Sequence, residues 1–452
     1  MIRRLALVVA VLVVVGLAAY VAIQQFRPGL FEREAENPDE LAALKSAPLP
    51  AVAADAGSGW PQWFGPNRDG HAPPGPLRTD WATNPPKPVW SVPCGGGYSS
   101  LAVVGGLVYT QDRQEDRERV LCLHAASGNT VWAYGYRADY AGVGYAAGPR
   151  ATPTVHGGRV YALGATGKLV CLAPHDPVPV KVVWARDLRD EFAAPLPQWG
   201  FASSPLIEGD LVIVQAGGKK GAVLAFDKTT GDTRWAAGTD PAGYSSPVAA
   251  TVAGVRQVIA VTGTSVLGIA PADGKVLWQH PWATQHNGNI AAPLVVGDYV
   301  FVSAGYAKGC ALLRLTTAGG GLKAEQVYFR KARVMQNHHS TSVHRDGFVY
   351  GYDNDTLRCV DLRKGEAVEE WVAKDAGGSR PAKGSVILAG DKLIGLTQTG
   401  TLFLADADPA EFRFRGKLEG VLSGSDCWAS PVLVDGRLYL RDNTKVVCLD
   451  AR

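Results

Sequence analysis

Histidines, amides, aromatic rings and basic side chains recur in this chain at one kind of place, just before a small-residue start to an apolar run. Tyr98 precedes Ser99, Tyr145 and Arg150 precede Ala151, Gln198, Trp199 and Phe201 precede Ser203, and Tyr244 precedes Ser245. His286, Asn287 and Asn289 lie before Ala291, and Gln336, Asn337, His338 and His339 before Ser340. Arg380 and Lys383 lie before Gly384, and Asp426, Cys427 and Trp428 before Ala429. Gathered at one point, such residues offer aromatic faces, amide donors, imidazoles and cationic groups, the inventory of a site for a polar small molecule or peptide. The candidate ligand-binding set is Tyr98, Arg150, Trp199, His286, Asn287, Asn289, Asn337, His338, His339, Arg380, Lys383, Asp426 and Trp428. A plainer reading accompanies it: converging loops need hydrogen bonds and aromatic plugs even where nothing binds. No residue is assigned a catalytic role.

His338 and His339 are neighbours, so at a strand start their side chains point to opposite faces and only one aims directly inward. A metal would need more ligands, and His286 and Asp426 are the evident candidates from other units. Structural hydrogen bonding is the preferred reading, and no metal site is assigned. Asp353, Asn354 and Asp355 lack the spacing and glycine of an EF-hand loop and read as a polar turn. The charged run Asp112–Arg119 reads as a solvated loop.

The elements that would bring these residues together form an internal repeat. Eight openings share a small-residue start, a β run, a turn and a second β run, beginning at Ser99, Ala151, Ser203, Ser245, Ala291, Ser340, Gly384 and Ala429. In seven the turn is Gly-Gly, Gly-Asp or Asp-Gly, dipeptides that accept the positive φ of a tight hairpin. The fourth opening is irregular, with a longer hairpin around Gly254. A third and a fourth strand follow, and the fourth often carries a tryptophan, giving Trp132, Trp184, Trp235, Trp278 and Trp371 as structural residues, with Phe329 and Phe414 near that place in units five and seven. Cys122, Cys171, Cys359 and Cys448 share one third-strand position, which makes them core residues, not ligands.

The eighth unit ends after its third strand, while Lys87–Val92 supplies a spare strand with Trp90. A closed ring predicts this circular deficit, since the amino-terminal strand completes the last unit and removes exposed edges. From Lys87 to Arg452 the length is about 46 residues per unit, enough for four short strands. The expected fold is an all-β, eight-bladed β-propeller of four-stranded antiparallel blades over 87–452. In that architecture the residues before each opening crowd one mouth of the central channel.

Composition agrees, with 53 Gly and 29 Pro against 19% charged residues, a turn-rich chain and not a long-helix one. A net charge of +3 spread over 452 residues leaves no footprint for nucleic acid. Arg3 and Arg4 precede an apolar run from Leu5 to Ile23, nineteen residues that as a helix match the bilayer core. The expected order is a cytoplasmic stub 1–4, a transmembrane signal-anchor 5–23, a linker 24–59, a surface strap 60–86 and the propeller. This places a single-pass, monomeric protein in the cytoplasmic membrane with its propeller outside the cytoplasm; secretion after signal cleavage is the alternative. Cys94 and Cys427, on adjoining units, read either as a disulfide or as two free thiols.

The Ser-Pro strand start, the turn Leu224–Gly231 and the closing Trp235 resemble the pyrroloquinoline-quinone-like (PQQ-like) propeller repeats. That superfamily includes quinoprotein alcohol dehydrogenases and the BamB-type outer-membrane assembly lipoprotein, and the resemblance runs from Trp60 onward. It implies either a scaffold for envelope proteins or a dehydrogenase with quinone and calcium, the quinone stacked between a tryptophan and a disulfide of adjacent cysteines. No two cysteines are adjacent here and no CxxCH haem motif is present, so the dehydrogenase signature is missing. The expectation is a non-catalytic scaffold or binding propeller for envelope proteins or small polar ligands, with no firm cofactor. The alternatives are a PQQ-dependent dehydrogenase, with a planar anionic cofactor near Arg150, Arg380 and Lys383, and a polysaccharide- or peptide-binding propeller.

Overall fold

The computed structural model describes residues 59–452 apart from 175–179, 332–333, 370, 372, 374–381 and 425. The expected anchor at 5–23 and nearly all of the linker lie outside these residues. Among the described residues no helix is long and apolar enough to cross a membrane.

Eight four-stranded antiparallel sheets follow one another along the chain. Blade one comprises Ala102–Val104, Leu107–Gln114, Arg117–His124 and Thr130–Arg137. Blades two to seven run over 154–187, 206–237, 248–281, 294–330, 343–367 and 384–418. Blade eight takes three strands from 432–450 and its outermost from Lys87–Pro93, paired antiparallel with Lys445–Asp450 in a register that sets Trp90 opposite Cys448. The amino-terminal strand therefore closes the ring. No blade is left with three strands, and the third strand of blade eight is paired on both sides.

The hairpin between first and second strands follows its turn dipeptide. Gly105–Gly106, Gly157–Gly158, Asp346–Gly347 and Asp435–Gly436 hold both residues at positive φ, whereas at Gly209, Gly297 and Gly390 only the glycine of Gly-Asp does. These are the two primed turn geometries whose twist matches that of the strands. Blade four also turns on two positive-φ residues, Ala253 and Gly254, and like blade seven it has a longer first strand, Val248–Val252, than the other blades.

Blades are latched to their neighbours by the fourth-strand aromatics. A bulge places Trp132, Trp184, Trp235, Trp278 and Trp90 opposite Cys122, Cys171, Ala225, Gly268 and Cys448. From there three of the indole N–H groups reach a backbone carbonyl in the next blade's outer turn: Trp90 to Ala125 (2.9 Å), Trp184 to Lys228 (3.1 Å) and Trp235 to Pro271 (2.8 Å); Trp278 donates instead to Gln257 Oε1 of its own blade, and Trp132 packs without such a bond. The ring lies on that turn's glycine. A Cβ on Gly231 would sit 2.6 Å from the Trp184 indole, which is why the turn ends in glycine. Trp371 donates likewise to Asp408 (2.8 Å), although it lies beyond the two-residue outer strand of blade six, Glu366–Ala367.

In blades five and seven the latch differs from the sequence expectation. Phe329 pairs with Ala311, and the bulge beyond it puts Tyr328 at the tryptophan position, its hydroxyl donating to Leu362 (2.7 Å). Phe414 likewise falls on the far side of its bulge, and the position itself is Gly416. Trp81 of the amino-terminal segment fills that gap, packed so closely that a Cβ on Gly416 would lie 2.8 Å from the Trp81 Cβ. The four aligned cysteines are buried, each opposite a second-strand tyrosine: Tyr109, Tyr161, Tyr350 and Tyr439.

The segment 60–86 packs closely on the ring. Trp60, Phe64 and Trp81 are buried, Trp60 bridges to Val103 in blade one, Pro61 accepts the Val155 amide in blade two, and His71 bridges to Leu388 in blade seven. Arg68, buried without an acidic partner among the described residues, donates to the carbonyls of Ser204, Pro205 and Pro247 in blades three and four. Burial lowers its guanidinium to about 9.

Candidate functional site

The residues before each first strand converge on a cavity of about 200 Å3 at the channel mouth. Its deeper wall consists of strand starts. Ser100 N–H donates to the Thr152 hydroxyl (3.1 Å), Thr152 N–H to Ser204 (2.9 Å), Ser204 N–H to Ser246 (3.0 Å) and Ala292 N–H to Thr341 (3.0 Å). The Ser100 hydroxyl passes on to the Ser430 carbonyl of blade eight (2.7 Å). This belt gives the small hydroxyl residues at the openings a role: Thr152, Ser204, Ser246 and Thr341 each satisfy a backbone amide of the preceding blade. Trp63, from the segment 60–86, also lines the cavity. It stacks on Phe64 at 5.0 Å with the Arg68 guanidinium 6.0 Å from its ring.

Above the belt stands a collar of rings. Trp428 stacks on His339 (centroids 4.1 Å, 10°) and His339 on His338 (4.3 Å, 14°). Tyr306 meets His338 edge-on at 4.7 Å and lies parallel to Trp199 at 6.0 Å, and Trp199 in turn packs on Tyr244 at 5.0 Å. On the other side Tyr98 stacks on Trp428 at 4.8 Å, with Tyr145 against its edge at 5.4 Å. Tyr145 is 58% exposed and marks the rim.

Two cations enter this collar. Arg150 donates to the carbonyls of Gly144, Tyr145 and Gly148 and lies 5.5 Å from the Tyr98 ring, while the Lys383 ammonium lies 3.3 Å from His339 Nε2. Burial lowers the pKa of both, since neither has an ion-pair partner among the described residues. Burial first, then His338 and Lys383, holds His339 down at about 2, and burial with Lys383 holds His338 at about 4. Both imidazoles are therefore neutral from pH 6 upward. A 15N NMR titration of the ring nitrogens between pH 6 and 8 is expected to be flat at these two residues; an inflection near 6.5 at either would contradict it.

Of the thirteen candidates, Tyr98, Arg150, Trp199, His338, His339, Lys383 and Trp428 line the cavity. His286 stands at the rim against Trp199 (5.8 Å), with Nδ1 3.1 Å from Gln198 Oε1. Asn287 is in the left-handed region beside it, over Gly263. Asn289 and Asn337 are buried pins instead: Asn289 donates to Thr262, Gly263 and Trp282 carbonyls, and Asn337 joins Ser303, Ser342 and Tyr352. Asp426 does not line the cavity, and Arg380 lies outside the described residues. Tyr306 and Trp63 carried no sequence signal of this role, because neither precedes a strand opening. Tyr306 sits in the turn between the second and third strands of blade five.

No carboxylate is present among the described lining residues, and no group of three or more metal-ligating side chains occurs among the described residues. All seven cysteines are free thiols, Cys94 and Cys427 included. His339 lies between Trp428 and His338, so both its faces are covered and one face of Trp428 with them. Calcium with a quinone asks for carboxylate ligands, a carboxylate base and open parallel faces, and the lining does not fit that group.

A closed eight-bladed ring of PQQ-like repeats, with its own amino-terminal segment packed against it and an aromatic, basic mouth, defines the class of protein. The sequence profile of the family described as outer membrane protein assembly factor BamB matches residues 137–371, just over half of the chain, and the chain belongs to that family. Among solved structures, BamB from Moraxella catarrhalis is similar with a TM-score of 0.55 at 14% identity, over 81% of this chain and 99% of that one. Quinohemoprotein alcohol dehydrogenase from Comamonas testosteroni gives 0.60 at 13% identity, over 88% and 81%. A europium-containing methanol dehydrogenase gives 0.51 at 12% identity, over 85% and 89%. These likenesses show the shared propeller fold. No curated protein sequence matches the chain.

Proposed function

We propose that this chain is a membrane-anchored, extracytoplasmic binding propeller that holds an envelope protein or a small polar ligand at its channel mouth without transforming it. The cavity lining carries this reading: aromatic rings, hydroxyls and two cations surround it, and no described lining residue could serve as a carboxylate base or calcium ligand. The imidazoles sit too far below neutrality to act as efficient bases near pH 7. The family description, assembly of outer membrane proteins, supports an envelope role, and the apolar run 5–23 behind Arg3 and Arg4 supports an anchor with the propeller outside the cytoplasm. The test is dye-linked oxidation of alcohols and sugars by the purified full-length protein supplied with pyrroloquinoline quinone and calcium. No turnover above the protein-free blank is expected. Saturable, quinone-dependent oxidation would overturn the non-catalytic reading.

A further inference from the structure

The hydroxyl belt has a property its structural role does not require. Thr152, Ser204, Ser246 and Thr341 are 0%, 1%, 4% and 4% exposed, and all four line the cavity. Each hydroxyl oxygen is already engaged, accepting a backbone N–H from the blade before it. Its own O–H donates to nothing among the described residues. A buried hydroxyl whose lone pair is used and whose hydrogen is unplaced presents a donor, and buried donors find acceptors. Lys383 adds a charged donor at the cavity and Arg150, its N–H groups held by the carbonyls of Gly144, Tyr145 and Gly148, adds positive charge, with no carboxylate among the described lining residues. The cavity thus presents unspent donors and positive charge, a combination that favours an oxyanion over a neutral polyol, which would need acceptors as well as donors.

We propose that the mouth is a carboxylate receptor: the ligand enters acid group first, its oxygens taking the belt hydroxyls and Lys383, while its body lies against the rim of Tyr145, Tyr98 and Trp199. The inference rests on the reading of the mouth as a binding site and adds the charge and polarity of what binds. The acid can belong to a small molecule or to an acidic polypeptide segment, and the same experiment separates the two.

Full-length protein in detergent micelles is titrated calorimetrically with four probes. These are glutarate, its neutral diamide, an N-acetylated, C-amidated hexapeptide ending in Glu-Glu, and the same peptide ending in Gln-Gln. The expected result is saturable binding of at least one acid and none of its neutral counterpart. Glutarate binding would point to a small acid, and binding of the acidic peptide alone to a polypeptide source. Lys383→Met is expected to weaken that binding about tenfold, as loss of one charge-assisted hydrogen bond should, and Lys383→Arg to restore most of it. An unchanged melting temperature of the methionine variant keeps the comparison to binding. Neutral probes that bind as well as the acids, or no change in Lys383→Met, would overturn the carboxylate inference while leaving the mouth a binding site. Absence of binding by all four probes also overturns it, and the broader reading then stands or falls on occupancy of the rim.

Discussion

Replacing Glu118 with alanine is expected to cost about 3–5 kcal/mol of stability, among the larger effects of any single change in the ring. Glu118 lies in the third strand of blade one, 1% exposed, and its carboxyl accepts three hydrogen bonds, from Tyr136 (2.7 Å), Tyr140 (2.6 Å) and the Ala165 amide of blade two (2.8 Å). Truncation would leave all three donors buried without a partner. Gly164 shows how tight the site is, since a Cβ there would lie 1.9 Å from the carboxyl oxygen. The consequence reaches the mouth, because Tyr140 begins the loop that carries Tyr145 and Arg150. Glu118→Gln keeps the shape and one acceptor and should cost much less.

The same residue fixes the sign of a pH effect. Burial raises the Glu118 pKa, more than its hydrogen bonds lower it. A carboxyl raised in the folded state contributes its full share of stability below the unfolded value, near 4.5, and loses that share as pH rises through the folded value. The difference in denaturation midpoint between wild type and Glu118→Gln should therefore shift in favour of the glutamine variant between pH 5 and pH 8. A pH-independent difference would mean that Glu118 is not raised in the folded protein.

The second large effect is expected at Trp235. Its alanine variant loses the bond to Pro271 and leaves a cavity over Gly274, whose built Cβ would fall 2.9 Å from the indole. A loss of about 3–5 kcal/mol follows for truncation of a large buried aromatic. Trp235→Phe, which retains most of the ring contact and loses the donor, should cost about 1–2 kcal/mol. Equal losses in the two variants would show that the hydrogen bond, and not the ring, carries the latch. Hydrogen exchange should place the damage at the contact between blades three and four, because each latch joins one pair of neighbours.

How far the sequence carried this picture depended on what repeats. Turn dipeptides recur seven times, small-residue openings eight and aligned cysteines four, and from them the blade count and the closure by Lys87–Val92 are legible in the sequence. Features that occur once were harder to see. Phe329 and Tyr328 are adjacent, and only the bulge after Leu312 shows which one takes the tryptophan position, since a shift of one residue turns a side chain to the other face. Nothing in the sequence near Gly416 announces that Trp81, more than three hundred residues earlier, packs at that position. At the mouth, position before a strand opening found Tyr98, Arg150, Trp199, Lys383 and Trp428 but could not tell lining from pin. Asn289 and Asn337 look the same as their neighbours in sequence, and their burial among backbone carbonyls and hydroxyls decides their role. The Ser and Thr belt was legible as strand starts, and its free O–H groups only as geometry.

Occupancy of the mouth in living cells is the decisive measurement. A photo-crosslinking residue is placed at Tyr145, 58% exposed on the rim, and as a control at Val89, 39% exposed on the outermost strand of blade eight, in the full-length protein. The account predicts a discrete adduct at position 145 that is lost when Trp199 and Lys383 are also replaced, and none at position 89. Adducts of equal yield at both positions, or at 89 alone, would contradict it and move the functional surface from the channel mouth to the outside of the ring.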